Sequence, residues 1–289
     1  MRSGMAARRW RFALCGSSAR KLRRSGADLL AGRALTLALE WGLLPFVQND
    51  RTHAAPTLAA YVNTYLKGEI REEGIVRNVA PFVRFLAVAG QLNGQVVQGQ
   101  NIARDAGVPR STVDVYFSVF EDTLIGHFLP AWQPQAKVRE RARPKLYWFD
   151  PGVARAAAGL HLDPADRTWL GFALETLVFH ELRVFNETAR KHRPIAYYGT
   201  AAGTEIDFVV ETRKGRPGAP PHAVCIEVKL APRWDRAWER AMRSLHDSPV
   251  VVVDRMFGVY TGPRSYHHDG VDVLPVATFL DQLHAGRVF

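Results

Sequence analysis

Two short strand-like runs hold the residues whose types and spacing point to chemistry. Thr204-Glu205-Ile206-Asp207-Phe208-Val209-Val210 carries Asp207, and Val224-Cys225-Ile226-Glu227-Val228-Lys229 carries Glu227 and Lys229. Side chains alternate along a strand, so Glu227 and Lys229 share a face while Ile226 and Val228 fill the core. Pairing of the two runs as a hairpin brings Asp207 beside them. Two carboxylates with an open edge suit a hard ion such as Mg²⁺ or Mn²⁺, and a nearby lysine steers an attacking water or offsets charge on a phosphate. The same three residues also make an ordinary salt bridge on a half-exposed strand edge. The apolar, β-branched setting of both runs favours interior strands instead.

The elements that must position these residues follow in α/β order. Leu170, Leu174, Leu177, Val178, Leu182 and Phe185 recur at helical spacing, with Glu175 and Glu181 among them. Strands are expected over 195–199, 204–211 and 223–230, then a helix over 234–246 and a strand over 249–254. The run Val250-Val251-Val252-Val253 suits an interior parallel strand. A short strand at 271–274 precedes a terminal helix ending near His284, and His267-His268 falls in a loop.

Upstream, a helix over 81–91 and a short helix over 100–106, stopped by Gly107, precede a second helix that opens at Arg110-Ser111-Thr112 and reaches about Asp122. This is the pattern of a helix-turn-helix. Strand-like runs at 125–132 and 145–149 add a wing, whose hairpin holds Lys137, Arg139, Arg141, Arg143 and Lys145. One reading is DNA contact through Arg110, Ser111, Thr112 and Asp114, with the wing's basic residues on phosphate. Asp114, Glu121 and Asp122 on the second helix tip the balance toward protein contact. A further helix is expected over 56–70. Asp150, followed by Pro151, reads as a helix N-cap.

The Asp207, Glu227 and Lys229 constellation resembles the active-site core of the PD-(D/E)XK nuclease superfamily. The order of helix, three-strand meander, helix and returning strand is similar to its fold. The resemblance implies catalytic roles for Asp207, Glu227 and Lys229 in phosphodiester cleavage. It also implies a Mg²⁺ or Mn²⁺ site at Asp207 and Glu227, joined by Glu175 from the first core helix.

Earlier stretches resemble a family of bacterial AAA+-type ATPases fused to a C-terminal domain of unknown function. They are RWRFALCGSSARKLRRSGADLLAGRALTLAL, YVNTYLKGEI and KLYWFDPGVARAAAGL. This resemblance implies that Ser17 and Ser18 end a strand facing a γ-phosphate, with Arg20, Arg24 or Arg33 sensing it. No G-x-x-x-x-G-K-[ST] loop occurs in the chain, so ATP is not expected to be bound and hydrolysed by this chain alone. It reads as a truncated member of the family, or as a gene model that begins inside the ATPase domain.

The expected fold is therefore α/β (α+β), a winged helix-turn-helix followed by a nuclease-like mixed sheet flanked by helices. The expected domains are an ATPase remnant (1–50), a helical linker with the winged helix (51–150) and a nuclease-like domain (151–289). Net charge is +10, and residues 1–24 hold eight basic residues and no acid, so the body is nearly neutral. No run approaches the roughly 20 apolar residues of a membrane span. Cys15 and Cys225 form no zinc spacing and no disulfide framework, which suits a reducing cytoplasm. Expected partners are DNA, a protein or the missing ATPase portion, and no membrane. The rivals to an enzyme are a non-catalytic binding module and an inactive remnant.

Overall fold

The structure, a computed structural model, describes residues 33–66, 68, 70, 76, 78–134, 143–200 and 203–289. Ser17, Ser18, Arg20, Arg24, Lys137, Arg139 and Arg141 lie outside the described residues, as does the side chain of Arg33. The chain forms two compact units. The first gathers Met1–Gln91, Gly99–Val119 and Trp148–Asp166; the second gathers Leu92–Gln98, Phe120–Tyr147 and Arg167–Phe289.

The described part of the first unit is helical. It contains α1 (Arg33–Trp41), α2 (Pro45–Asn49), α3 (Ala54–Ala60), α4 (Val79–Gln91), α5 (Gly99–Ala106), most of α6 (Arg110–Asp122) and α7 (Pro151–Ala157). The helix expected over 56–70 starts earlier, because Pro56 sits in the first turn of α3, where a missing N–H costs little. It then gives way to a π-helical stretch, Tyr61–Leu66. Between α5 and α6, Gly107 adopts φ +65°. The amide of Val108 donates to Ala103 O at 2.9 Å and that of Gly107 to Arg104 O at 3.2 Å. These two bonds satisfy carbonyls that the end of α5 leaves open, and only a residue at ease in the left-handed region makes them without strain. Phe82, Phe85 and Tyr116 then close the core of this unit, with ring centroids 5.0 to 5.6 Å apart.

Asp150 is the N-cap of α7, as the sequence suggests, and it does more. Its Oδ1 accepts from Val153 N at 3.0 Å and its Oδ2 from Leu43 N at 2.6 Å, so one buried carboxylate ties α7 to the loop after α1. Gly42, at φ +77°, passes so close that any Cβ there would collide with this carboxylate. Burial pushes the Asp150 carboxyl up to about 6, against the pull of the donating amides. A folded value raised above the unfolded 3.8 means that the contribution of this group to stability is fully present only below pH 4. About 3 kcal/mol is then lost as pH rises through the window from 4 to 6, with no further change above it. Asp150→Asn should flatten that slope in urea midpoints taken at pH 4, 5, 6 and 7. A slope equal to that of the wild type would assign the pH dependence to other groups.

The second unit is a mixed α+β structure. Its smaller sheet has the order β1-β3-β2, from β1 (Gln95–Val96), β2 (Gly126–Leu129) and β3 (Lys145–Trp148). Its larger sheet is six-stranded and mixed, in the order β4-β5-β6-β7-β9-β8. The strands are β4 (Ile195–Gly199), β5 (Glu205–Arg213), β6 (His222–Lys229), β7 (Val252–Tyr260), β8 (Tyr266–His268) and β9 (Val271–Pro275). Helices α8 (Arg167–Thr188), α9 (Arg240–His246) and α10 (Val276–His284) flank it. β4, β5 and β6 form an antiparallel meander, and α9 returns the chain so that β7 lies parallel to β6.

Two strand expectations change. The interior strand is not centred on Val250–Val253: Val252 is 41% exposed, and burial is continuous only over Met256–Tyr260. Asp254 and Arg255 hide this continuation from a pattern of apolar runs. Asp254 is the extra residue where the β6–β7 register shifts, and it accepts from Thr212 and His222. Arg255 pairs with Asp272 on β9 at 2.7 Å and lies 4.4 Å over the Phe257 ring. His267 and His268 lie in a short strand, β8, instead of a loop. His267 contacts Asp272 and His268 contacts Arg236, each at 2.7 Å.

Candidate active site

Asp207 owes its position to an irregularity in β5. Ala196 of β4 pairs with Val209 and Tyr198 with Ile206, so Asp207 and Phe208 together oppose Tyr197. This is a bulge, and it shifts the side-chain alternation by one residue. Ile206 and Val209 therefore join the same core cluster despite their odd spacing. Phe208 turns instead to Phe179 of α8, with rings parallel and 5.9 Å apart, and to Tyr147 of β3 at 6.1 Å. The β5–β6 ladder begins at Phe208 and Ile226, one residue past Asp207. The amide of Val228 donates to Asp207 Oδ2 at 2.7 Å, so the carboxylate takes a donor at the end of the strand ladder.

Around Asp207 the sequence-predicted residues converge. Lys229 Nζ lies 3.5 Å from Asp207 Oδ2 and pairs directly with Glu227 Oε1. Ile226 and Val228, on either side of Glu227, are buried as expected. Glu227 stands opposite Gly258 on β7, where a Cβ would fall 2.5 Å from the Trp234 ring. Only glycine lets that indole lie over the strand beside the site.

Three participants are not singled out by sequence spacing. Lys145 of β3 sits 3.8 Å from Glu175 Oε2 and 3.9 Å from Asp207 Oδ1, and it pairs directly with Glu205. Tyr147, two residues along the same strand, donates to Glu175 Oε2 at 3.0 Å. The chain beyond β2 carries β3 here: Trp132 N donates to Tyr197 O at 2.6 Å, and Tyr197 OH donates to Arg143 O at 2.6 Å. Lys145 reads in sequence as the last member of a basic island. The one signal against a solvated role is its place at the head of the apolar run Leu146-Tyr147-Trp148.

Four carboxylates thus face two ammoniums, and electrostatics follow from that imbalance. Burial, with Asp207's negative charge added, pushes Glu175 and Glu227 both well above the usual carboxylate range. Burial opposes the charge on Lys145 and Lys229, but the surrounding carboxylates outweigh it and hold both above the usual lysine value. Tyr147 is held well above its ordinary value by burial and by Glu175. Glu227 Oε2 is buried and has no hydrogen-bond partner among the described residues. Solvent reaches the cluster at Glu205, whose side chain is 42% exposed, and at Lys229, 29% exposed.

These observations bear on a divalent ion. The donor set is hard oxygen, carboxyl groups outnumber ammoniums, and one buried carboxylate oxygen is unpartnered among the described residues. Among the described residues no group of three or more His, Cys, Asp or Glu is set to hold a metal. Mg²⁺ needs no such cage, since one or two carboxylates plus waters and phosphate oxygens suffice. Asp207 and Glu227 fit that requirement.

At the start of α6, Arg110 and Ser111 are exposed and Thr112 is half-buried. Arg110, the helix's one basic residue, pairs with Asp114. Arg143 is exposed, next to residues 135–142, which are not described. Among the described residues no helix is long and apolar enough to cross a membrane.

Residues 33–163 are similar to a family described as a domain of unknown function (DUF8612), and residues 170–279 to another so described (DUF4143). The latter is a domain often found C-terminal to AAA-type ATPases. No curated protein and no solved structure matches the chain.

Proposed function

We propose that the second unit is a PD-(D/E)XK-like nuclease domain that cleaves phosphodiesters with the help of Mg²⁺ or Mn²⁺. The observation that carries this reading is the meeting of Asp207, Glu227 and Lys229 at the splayed ends of β5 and β6, with a buried carboxylate oxygen left unpartnered. Asp207 and Glu227 would hold the ion, which when bound supplies a Lewis acid for the phosphate and lowers the pKa of a water. Lys229, partly exposed, swings from Glu227 toward the phosphate and stabilises charge that develops on its oxygens. Val228 N fixes Asp207, so the carboxylate is set before substrate arrives.

Helices α4 to α6 with the β2–β3 hairpin form, in this proposal, a winged helix-turn-helix. Its protein-contact role is favoured by Arg110, whose guanidinium is already occupied by Asp114. The partner that fits is the ATPase portion or another protein, with DNA reaching the second unit. ATP hydrolysis is not assigned to this chain, which holds no phosphate-binding Gly-Lys loop. The free, buried Cys225 suits a reducing cytoplasm.

The test is nicking of supercoiled plasmid by the full chain. Nicking should require Mg²⁺ or Mn²⁺, stop with chelator and be lost in Lys229→Ala. Equal cleavage by wild type and Lys229→Ala would reveal a contaminant and end the nuclease reading.

A further inference from the structure

The carboxylate cluster is lopsided. On one side Glu175 Oε2 is engaged twice, by the Tyr147 hydroxyl at 3.0 Å and by Lys145 Nζ at 3.8 Å. The same ammonium pairs with Glu205 and lies 3.9 Å from Asp207 Oδ1. Its side chain is only 5% exposed, so it has no aqueous alternative. On the other side Lys229 is 29% exposed and Glu227 Oε2 has no partner among the described residues. Asp207 sits between, with Oδ1 toward Lys145 and Oδ2 toward Lys229 and the Val228 amide.

We infer that Lys145 is a built-in cation filling the place of a second metal, so that the site takes a single divalent ion, at Asp207 and Glu227. The inference rests on the metal-binding reading above and gives Glu175 a different part in it. Two-metal centres set their ions about 3.5–4 Å apart. An ammonium fixed beside Glu175 and Asp207 repels a second dication from that side. Glu175 then serves as the anchor of Lys145 and Tyr147, and is not a ligand. Lys145 is a positioning residue: it holds one Asp207 oxygen while the other faces the ion.

Calorimetric titration of the full-length chain with MnCl₂ alone tests this. The wild type should bind one Mn²⁺ per chain and Lys145→Gln two, with Lys145→Arg returning to one. Two ions in the wild type, or one in a Lys145→Gln chain whose circular dichroism is native, would overturn the inference. Where Lys145→Gln does not fold, Glu175→Gln decides. Its Mn²⁺ affinity should stay within about a hundredfold of the wild type, the range expected for loss of a positioning group, whereas a larger drop would make Glu175 a ligand and refute the single-ion site. The failure of the underlying reading looks different: no Mn²⁺ heat in the wild type or in any variant removes the metal site itself, and the inference with it.

Discussion

Asp207→Asn should reduce metal-dependent nicking by about a thousandfold or more while leaving the fold intact. The amide keeps one oxygen for the Val228 N–H, so the bond at the head of the β5–β6 ladder survives. What disappears is the charge shared between Lys145 and Lys229, and with it the ligand that the proposed ion needs. A group that only orients a ligand costs about 10–100-fold when lost, and a ligand that is also the hub of the cluster should exceed that. Two readouts separate the possibilities. Native circular dichroism with lost nicking and lost Mn²⁺ binding assigns Asp207 to the metal. Retained Mn²⁺ affinity with full nicking would leave it a strand-end hydrogen-bond acceptor and nothing more.

The second large effect falls on stability. Lys145→Met should cost about 3 kcal/mol, because removing one partner of a buried ion pair leaves carboxylates without their counter-charge. Glu175 limits the loss by taking up a proton, which its upward-shifted carboxyl does readily; hence the lower end of the expected range. In thermal unfolding this is a fall of roughly 10 °C for a unit of this size. The double variant Lys145→Met with Glu175→Gln should recover most of it, since a neutral amide can still accept from Tyr147 OH. Strict additivity of the two single effects would show that Lys145 and Glu175 are not coupled.

What the sequence makes legible here is local. Glu227 and Lys229 are readable because strand alternation puts them on one face, and Asp207 because a hairpin brings its strand beside theirs; the bulge that aims it is not readable. Glu175 is reachable as one glutamate on an amphipathic helix. The Asp150 cap is readable because Asp-Pro before an alanine-rich run has one common meaning. The rest depends on contacts distant along the chain. Lys145 looks like a wing cation until Tyr197, some fifty residues later, binds the chain at Arg143 and Trp132. The interior part of β7 is masked by Asp254 and Arg255, whose charges are met by partners on β5, β6 and β9. The shift of alternation at Asp207 and Phe208 leaves no mark in composition, since both sides of it are apolar.

That extra residue in β5 has a consequence for how this chain tolerates change. Because the strand is out of phase with itself on either side of the bulge, Ile206 and Val209 share one layer only while two residues separate them. Deletion of Phe208 would bring the two halves into step and rotate the acid out of reach of both lysines. Length at this spot, more than residue identity, is the quantity under constraint.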